Sequence, residues 1–353
     1  MAKYLYVGVD GKARKAKYLY VGVDGKARKI KKGYIGINNV AHLFYVLNYK
    51  VAYHGVATAL STARGRLAAT NIGDYALFGG GNSAAVETYT ENLVRGTATN
   101  LSAAREYLAA TTVGNYALFG GGSGSNRVDA YNPTLTRTTP TGLSRSRGEI
   151  AATTVGDYAL FAGGDYSSNV DAYSVSLVKS TPAGLSVGRS DIGAASVGDY
   201  AVFGGGDNTN SSYRNRVDTY SSTLVKGTAD NLSAGRAYFS GASTKDHALI
   251  AGFRVDAYNA SLVKTNISSL TKAAYEFKGT TLKGFAVFSG FEATNTDIYS
   301  PALVKSTDNS LSRSRCALGA ATIGNYAIFA GGEITRYTGN YVNNVDVYTV
   351  IPD

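Results

Sequence analysis

Glu149, Asp191 and Glu276 are the side chains in this sequence best suited to chemistry, because each stands at the same point of a recurring motif. The equivalent places elsewhere hold Arg66, Tyr107, Tyr238 and Ala317. Carboxylates, phenols and a guanidinium in equivalent positions can hydrogen-bond sugar hydroxyls or receive basic groups. Two carboxylates at the right separation can also act on a glycosidic bond. The linear spacing brings no two of them to that separation, so binding is the expectation and glycan-acting catalysis an alternative. His42, His54 and His247 lie in different contexts without metal-ligand spacing. Asp207-Asn208-Thr209-Asn210 lacks the Gly and terminal Glu of a calcium loop. Cys316, the single cysteine, excludes an internal disulfide framework and reads as a small packed residue. With no nucleophile–base pairing evident, the expectation is a non-enzymatic protein without cofactor or metal.

The elements that position these residues repeat. Leu101–Asn132 runs Leu-Ser, an Arg three residues on, small and β-branched residues, Gly-Asn-Tyr, an apolar run ending in glycines, a variable loop, and Val-Asp-Ala-Tyr. The same order starts at Leu60, Leu101, Leu143, Leu185, Leu232, Leu270 and Leu311, at separations of 41, 42, 42, 47, 38 and 41 residues. Such a period marks one supersecondary unit repeated. In the second copy the pattern predicts strands over Tyr107–Val113, Tyr116–Phe119, Val128–Tyr131 and Leu135–Thr139. No window has sustained helical spacing. Seven units of four strands cannot form one open sheet, because twist accumulates. They suit an all-β, seven-bladed β-propeller spanning residues 46–353. Small residues in each first strand, such as Ala109-Ala110 and Ala151-Ala152, fit the crowded axis. The seventh copy ends at its third strand, Val345–Val350. Its fourth must come from near Val51–Thr58, which closes the ring and removes two sheet edges.

The order of Arg, small strand, Gly-Gly and Val-Asp-x-Tyr resembles the kelch repeat over roughly 300 residues. The chain departs from that pattern in having no Trp and a shorter period than the kelch length of about 50. It reads as a divergent kelch-like propeller. The resemblance implies that the position two after the recurring Arg faces the channel mouth. It would then gather Arg66, Tyr107, Glu149, Asp191, Tyr238 and Glu276 around one opening. The recurring Arg itself (Arg64, Arg105, Arg147, Arg189, Arg236 and Arg315, with Ala274 in the sixth copy) reads as structural, bonding backbone between blades.

Comparing the copies separates scaffold from free surface. The turn between strands one and two barely varies, and the turn between strands three and four is similar throughout. Both fall on one side of the ring. On the other side the loops between strands two and three run from two to twelve residues, from Phe253-Arg254 to Glu333–Asn344. Loops on a rigid scaffold carry binding more often than the scaffold does. The longest contain Tyr213, Arg214, Arg216, Arg336, Tyr337 and Tyr341, residue types favoured at contact hot spots.

Residues 1–45 are organised differently. Ala2–Lys15 and Ala16–Lys29 are identical, and Lys31–Phe44 is a degraded third copy. Tyr-Leu-Tyr-Val-Gly-Val alternates like a strand before Asp-Gly, a hairpin signal that Asn38-Asn39 also tolerates, so each unit can be one β-hairpin or one arm of a winding ribbon. The formal net charge is +10, of which residues 1–50 hold +9. Lys and Arg beside Tyr raise nucleic acid as a partner, but the strands need those aromatics, which argues against it. No apolar run reaches membrane-span length, and residues 1–9 lack the features of a signal peptide.

YVGVDGKARK and GYIGINNVA resemble short repeats in structural proteins of phages and prophages of Gram-positive hosts. That resemblance implies an attachment or assembly segment contacting other virion proteins, with the propeller directed outward. Three expectations follow from different classes. The first is a homo-oligomeric virion protein, made in the host cytoplasm, whose loop face binds a host surface protein or glycan. The second is an intracellular interaction scaffold using that face. The third is a glycan-acting enzyme.

Overall fold

The computed structural model describes residues 49–208, 215–235, 238–272 and 275–352, with the backbone of the strands between residues 6 and 46. Every copy forms a four-stranded antiparallel sheet. In the second, Ala109–Val113, Tyr116–Gly120, Val128–Tyr131 and Arg137–Thr138 lie side by side in chain order. The first strand of each blade packs against the first strands of both neighbours, and the seventh returns to the first. The last sheet joins Gly319–Ile323, Tyr326–Ala330 and Val345–Pro352 to Tyr49–Val56 from before the first copy. The chain is a closed, seven-bladed β-propeller. Tyr53 secures the closure, donating from its hydroxyl to Asp346 at 2.7 Å while its ring meets Tyr348 edge-on at 5.4 Å.

Two strands differ from the sequence reading. The first begins at Ala109 rather than Tyr107, because Tyr107 is left-handed with φ 56°. The fourth shrinks to Arg137–Thr138, because Leu135 is left-handed with φ 61°. Leu93, Leu177, Leu224, Leu262 and Leu303 repeat that conformation at equivalent turns. Left-handed backbone costs a non-glycine residue about 1–2 kcal/mol. Leu135 packs against the core shared by blades one and two, where Phe119, Leu108 and Leu77 are buried. Full burial of a leucine contributes about 1.5–3 kcal/mol, so the partial burial of Leu135 offsets part of the strain.

The core lies between blades, and one aromatic pair recurs in it. The second-strand Phe meets the third-strand Tyr edge-on, as in Phe78–Tyr89 at 5.7 Å and Phe119–Tyr131 at 5.8 Å. Each such Tyr hydroxyl needs a partner once buried. Tyr131 donates to the Thr99 carbonyl at 2.8 Å and Tyr173 to that of Thr141 at 2.8 Å. Near the axis the spacing tightens. A Cβ on Gly241 would lie 1.9 Å from the Ala194 carbonyl oxygen of the preceding blade.

The Leu-Ser, Arg and Val-Asp signatures converge on one polar network per blade. Arg147, with its side chain fully buried, donates to Asp171 at 2.6 Å and to the carbonyls of Phe161 and Asn169 at 3.1 and 3.0 Å. Asp171 also accepts from the Ser144 N–H and hydroxyl. Arg105 pairs with Asp129, Arg189 with Asp218, Arg315 with Asp346, and Arg64 with Glu87. The sequence expectation placed these arginine bonds between blades. The structure corrects this: each side chain stays within its own blade. The Arg main-chain carbonyl makes the inter-blade link, as when Arg147 accepts from Gly122 at 3.0 Å. A planar guanidinium can hold a carboxylate and several carbonyls together. In blade six Asp297 takes its ion pair from Lys305 at 3.3 Å. Arg236 and Ala274 lie outside the described residues.

Residues 1–51 with 350–353 form one compact unit and Ala52–Thr349 the other. The amino-terminal repeats are antiparallel strand pairs: Tyr6–Val9 with Lys12–Lys15, Tyr20–Val23 with Lys26–Lys29, and Lys32–Ile37 with Val40–Val46. Val9 pairs with Lys12 and Val23 with Lys26; the Asp-Gly and Asn-Asn turns expected between the paired strands lie outside the described residues.

Candidate functional site

The position two after the recurring Arg begins as a backbone feature. All seven residues there are left-handed: Arg66, Tyr107, Glu149, Asp191, Tyr238, Glu276 and Ala317, with φ between 53° and 62°. Their main chains form a belt around the opening. Tyr107 N–H donates to Arg66 O at 3.1 Å, Glu149 to Tyr107 at 2.9 Å, and Asp191 to Glu149 at 3.2 Å. Ala317 donates to Glu276 at 2.9 Å and Arg66 to Ala317 at 2.7 Å, which brings the belt round to its start. Strained non-glycine backbone persists only where surrounding bonds over-determine it, and it clusters at functional sites. The belt bonds join six of the seven, with Phe239 N–H rather than that of Tyr238 donating to Asp191 at 3.0 Å, and all seven residues line one cavity of about 70 Å³. The expectation that this position faces the channel mouth therefore matches the geometry.

Arg66 does not stand free in the mouth. It donates to Glu333 at 2.8 Å and Tyr341 Oη at 2.9 Å, and lies 3.6 Å from Glu276. Its guanidinium faces the rings of Tyr107 and Tyr337 at 5.2 and 5.1 Å. Tyr337, Tyr341 and Arg336 arrive on the loop after Tyr326–Ala330 of blade seven. That loop is tied down by Glu333, whose N–H and carbonyl both bond Cys316 at 2.8 Å and whose carboxylate accepts from Gly339 N–H at 2.6 Å. Arg336 crosses to Glu276 at 3.2 Å.

The carboxylates differ in setting. Glu276 has two arginines beside it. Asp191 sits deep, and burial and then Glu149 push its carboxyl up to about 8, with Lys278 and Arg336 opposing. Burial and Asp165 raise Glu149 as well. Both acids thus tend toward the neutral form, in which a carboxyl donates one hydrogen bond and accepts others. Lys278 projects into the channel from the first strand of blade six and lines the mouth cavity. It is open to the lumen yet surrounded by protein, so burial pulls its ammonium below the ordinary lysine value against Glu276 and Asp191. Its counterparts are Ala68, Ala109, Ala151, Gly193, Ser240 and Gly319.

Of the residues expected at the site, Arg66, Tyr107, Glu149, Asp191, Tyr238 and Glu276 line the mouth cavity, and Arg336, Tyr337 and Tyr341 reach its residues from the blade-seven loop. Arg216 is not brought there: its side chain is exposed, and its carbonyl accepts from Arg189 at 2.8 Å. Tyr213 and Arg214 lie outside the described residues. Sequence reasoning did not single out Lys278, Tyr275 or Glu333. Lys278 was findable, as the one long side chain at a position otherwise Ala, Gly or Ser. Cys316 is buried, and burial pushes its thiol up to about 12, which leaves it protonated and unreactive at neutral pH. No cluster of metal-ligating side chains occurs among the described residues. At the far end of the channel Thr70, Thr112, Thr153 and Thr281 line a wider vestibule of about 360 Å³. No helix among the described residues is long and apolar enough to cross a membrane.

No family model matches the sequence, and no curated protein does. Among solved structures, the chain is similar to a streptogramin B lyase, with TM-score 0.64 and 10% identity over 86% of this chain and 98% of that one. It is similar to virginiamycin B lyase from Staphylococcus aureus, with TM-score 0.63 and 10% identity over 86% and 100% of the two chains. YjhT gives TM-score 0.55 and 14% identity over 83% and 99%. At these identities the likeness is one of fold, the seven-bladed propeller.

Proposed function

We propose that the protein is a non-catalytic binding module of a phage or prophage particle, whose propeller mouth and blade-seven loop engage a host surface glycan. One observation carries this reading. A belt of seven equivalent, strained backbone positions presents six polar side chains of four kinds, with one alanine, to one opening, while the residues around it repeat. Evolutionary drift alone does not require strain at such positions, and a polar set of acids, phenols and cations suits polyhydroxylated ligands. The mouth cavity, about 70 Å³, is far below the roughly 300–1,000 Å³ of sites that enclose a small molecule. A sugar therefore engages the rim, or one protruding substituent enters. The assignment to a particle rests on the amino-terminal hairpin repeats.

Glycan-array binding of the full chain tests the ligand class. Glu149→Gln and Asp191→Asn should each weaken capture by up to about tenfold, the upper value of one ordinary hydrogen bond; undiminished capture overturns the mouth as the site. Mass spectrometry of purified particles tests the location, and its absence from them would favour the intracellular scaffold. The raised carboxyls of Glu149 and Asp191 favour one further reading, a glycan-acting enzyme with a protonated acid at neutral pH. Glycan turnover that survives both substitutions excludes it.

A further inference from the structure

Beside the mouth, Arg336 occupies a receptor made of Tyr238, Tyr275 and Glu276 from other blades and of Tyr337, its neighbour on the same loop. Its guanidinium carbon lies 4.0 Å from the ring centre of Tyr238, 4.1 Å from that of Tyr337 and 4.9 Å from that of Tyr275. Its Nε donates to Glu276 at 3.2 Å and its Nη2 to the Tyr337 hydroxyl. Tyr238 and Tyr275 meet edge-on at 5.0 Å, forming two walls at 88°. Aromatic faces attract a cation, and the attraction grows as water is excluded. A carboxylate in the plane of the guanidinium adds charge-assisted hydrogen bonding and fixes orientation.

Most of this receptor belongs to the scaffold rather than to the arginine's loop. Tyr238 and Glu276 are belt residues, held left-handed at φ 62° and 55°. Tyr275 adjoins Glu276 on blade six. Arg336 comes instead from the tip of the longest described loop, and the walls stay open to solvent, with Tyr275 50% and Tyr337 60% exposed. A half-open box with its own tethered cation is what a guanidinium site looks like when an internal competitor fills it.

We propose that Tyr238, Tyr275, Tyr337 and Glu276 form a binding site for a guanidinium group of another molecule, and that Arg336 is its built-in competitor. A tethered group acts at a millimolar effective concentration, so an outside guanidinium enters when the Arg336 side chain swings out with Tyr337 left in place, or when further contacts assist it. The chemistry is shared by two sources, a free guanidino compound and an arginine side chain of a peptide. This site shares Tyr238, Glu276 and the blade-seven loop with the proposed glycan face, but its test reads methylguanidinium binding and leaves Glu149 and Asp191 untouched, so its failure is distinguishable from failure of the glycan reading.

The test uses the full chain with Arg336→Ala and, should that variant fold poorly, Arg336→Gln, which retains length and hydrogen bonding without charge. Methylguanidinium and an arginine-containing tripeptide are titrated by calorimetry and by tyrosine ring NMR. Either variant should bind methylguanidinium at least about tenfold more tightly than the parent, and adding Tyr275→Ala should abolish the gain. Methylguanidinium should also raise the melting temperature of the variant and leave the parent unchanged. Tighter binding of the tripeptide identifies a peptide source, and equal binding a free guanidino compound. Equal methylguanidinium affinity of parent and variant, or a gain that survives Tyr275→Ala, overturns the proposal.

Discussion

Arg147 and Asp171 illustrate how much each blade depends on single residues. Both side chains are fully buried 2.6 Å apart, and the arginine also satisfies two carbonyls. A buried pair adds little net stability over an apolar replacement, but removing one partner strands the other charge. Asp171→Ala should therefore cost about 3–5 kcal/mol in chemical denaturation, while Arg145→Ala, beside the network, should change little. Asp191 makes the residue-scale case for pH. Its folded value of about 8 lies above the ordinary aspartate value of 3.8. The folded chain thus holds the proton more tightly than the unfolded chain between those values, so stability falls as pH rises from about 4 to 8 and levels off above. Asp191→Asn should raise the melting temperature relative to the parent at pH 9, with the gain vanishing near pH 4. A gain equal at both pH values would contradict the assignment.

The strand and its turn form the next scale. Phe119 is fully buried at the junction of blades one and two and stacks edge-on with Tyr131. Phe119→Ala should cost about 3–5 kcal/mol, the range for a large core aromatic. Gly241→Ala should do comparable damage by a different route. Its new Cβ would press on the Ala194 carbonyl oxygen, and backbone cannot rotate away as a side chain can. Both are read from denaturant midpoints. These elements were largely legible beforehand: strand pairs flanking Gly-Asp-Tyr turns were set by alternation and turn chemistry. Their ends were not. Tyr107 and Leu135 looked like strand residues because each adjoins a β-rich run, whereas an inter-blade bond to Arg66 holds Tyr107 left-handed and a turn bond to Asn132 with core packing holds Leu135 so.

Closure governs the whole molecule. Tyr49–Val56 completes the seventh blade, and Ala57 N–H donates to the Val345 carbonyl at 3.0 Å. Deleting residues 46–59 would expose a strand edge on that blade and remove the bond between the ends of the ring. That deletion should lower the melting temperature of the entire propeller in a single transition. Deleting residues 1–30 should leave that transition where it is. Calorimetry of the two truncations decides, and an unchanged transition in the first would mean that closure contributes little.

Repetition let the sequence alone determine blade number, strand order, the closing strand and the set of seven equivalent positions, whereas their place at the mouth was implied only by the kelch resemblance. Seven copies of one pattern must share one geometry, and a copy short of its last strand must take it from elsewhere. The tertiary structure decided which of those side chains remain available. Arg66 looked like a ligand contact, yet Glu333 and Tyr341, more than 250 positions away in sequence, already hold it. Arg336 looked like an outward hot spot, yet it folds back onto Tyr238, Tyr275 and Glu276. Such pairings depend on the path of a non-repeating loop and on charges that meet only across the ring. No periodicity encodes them.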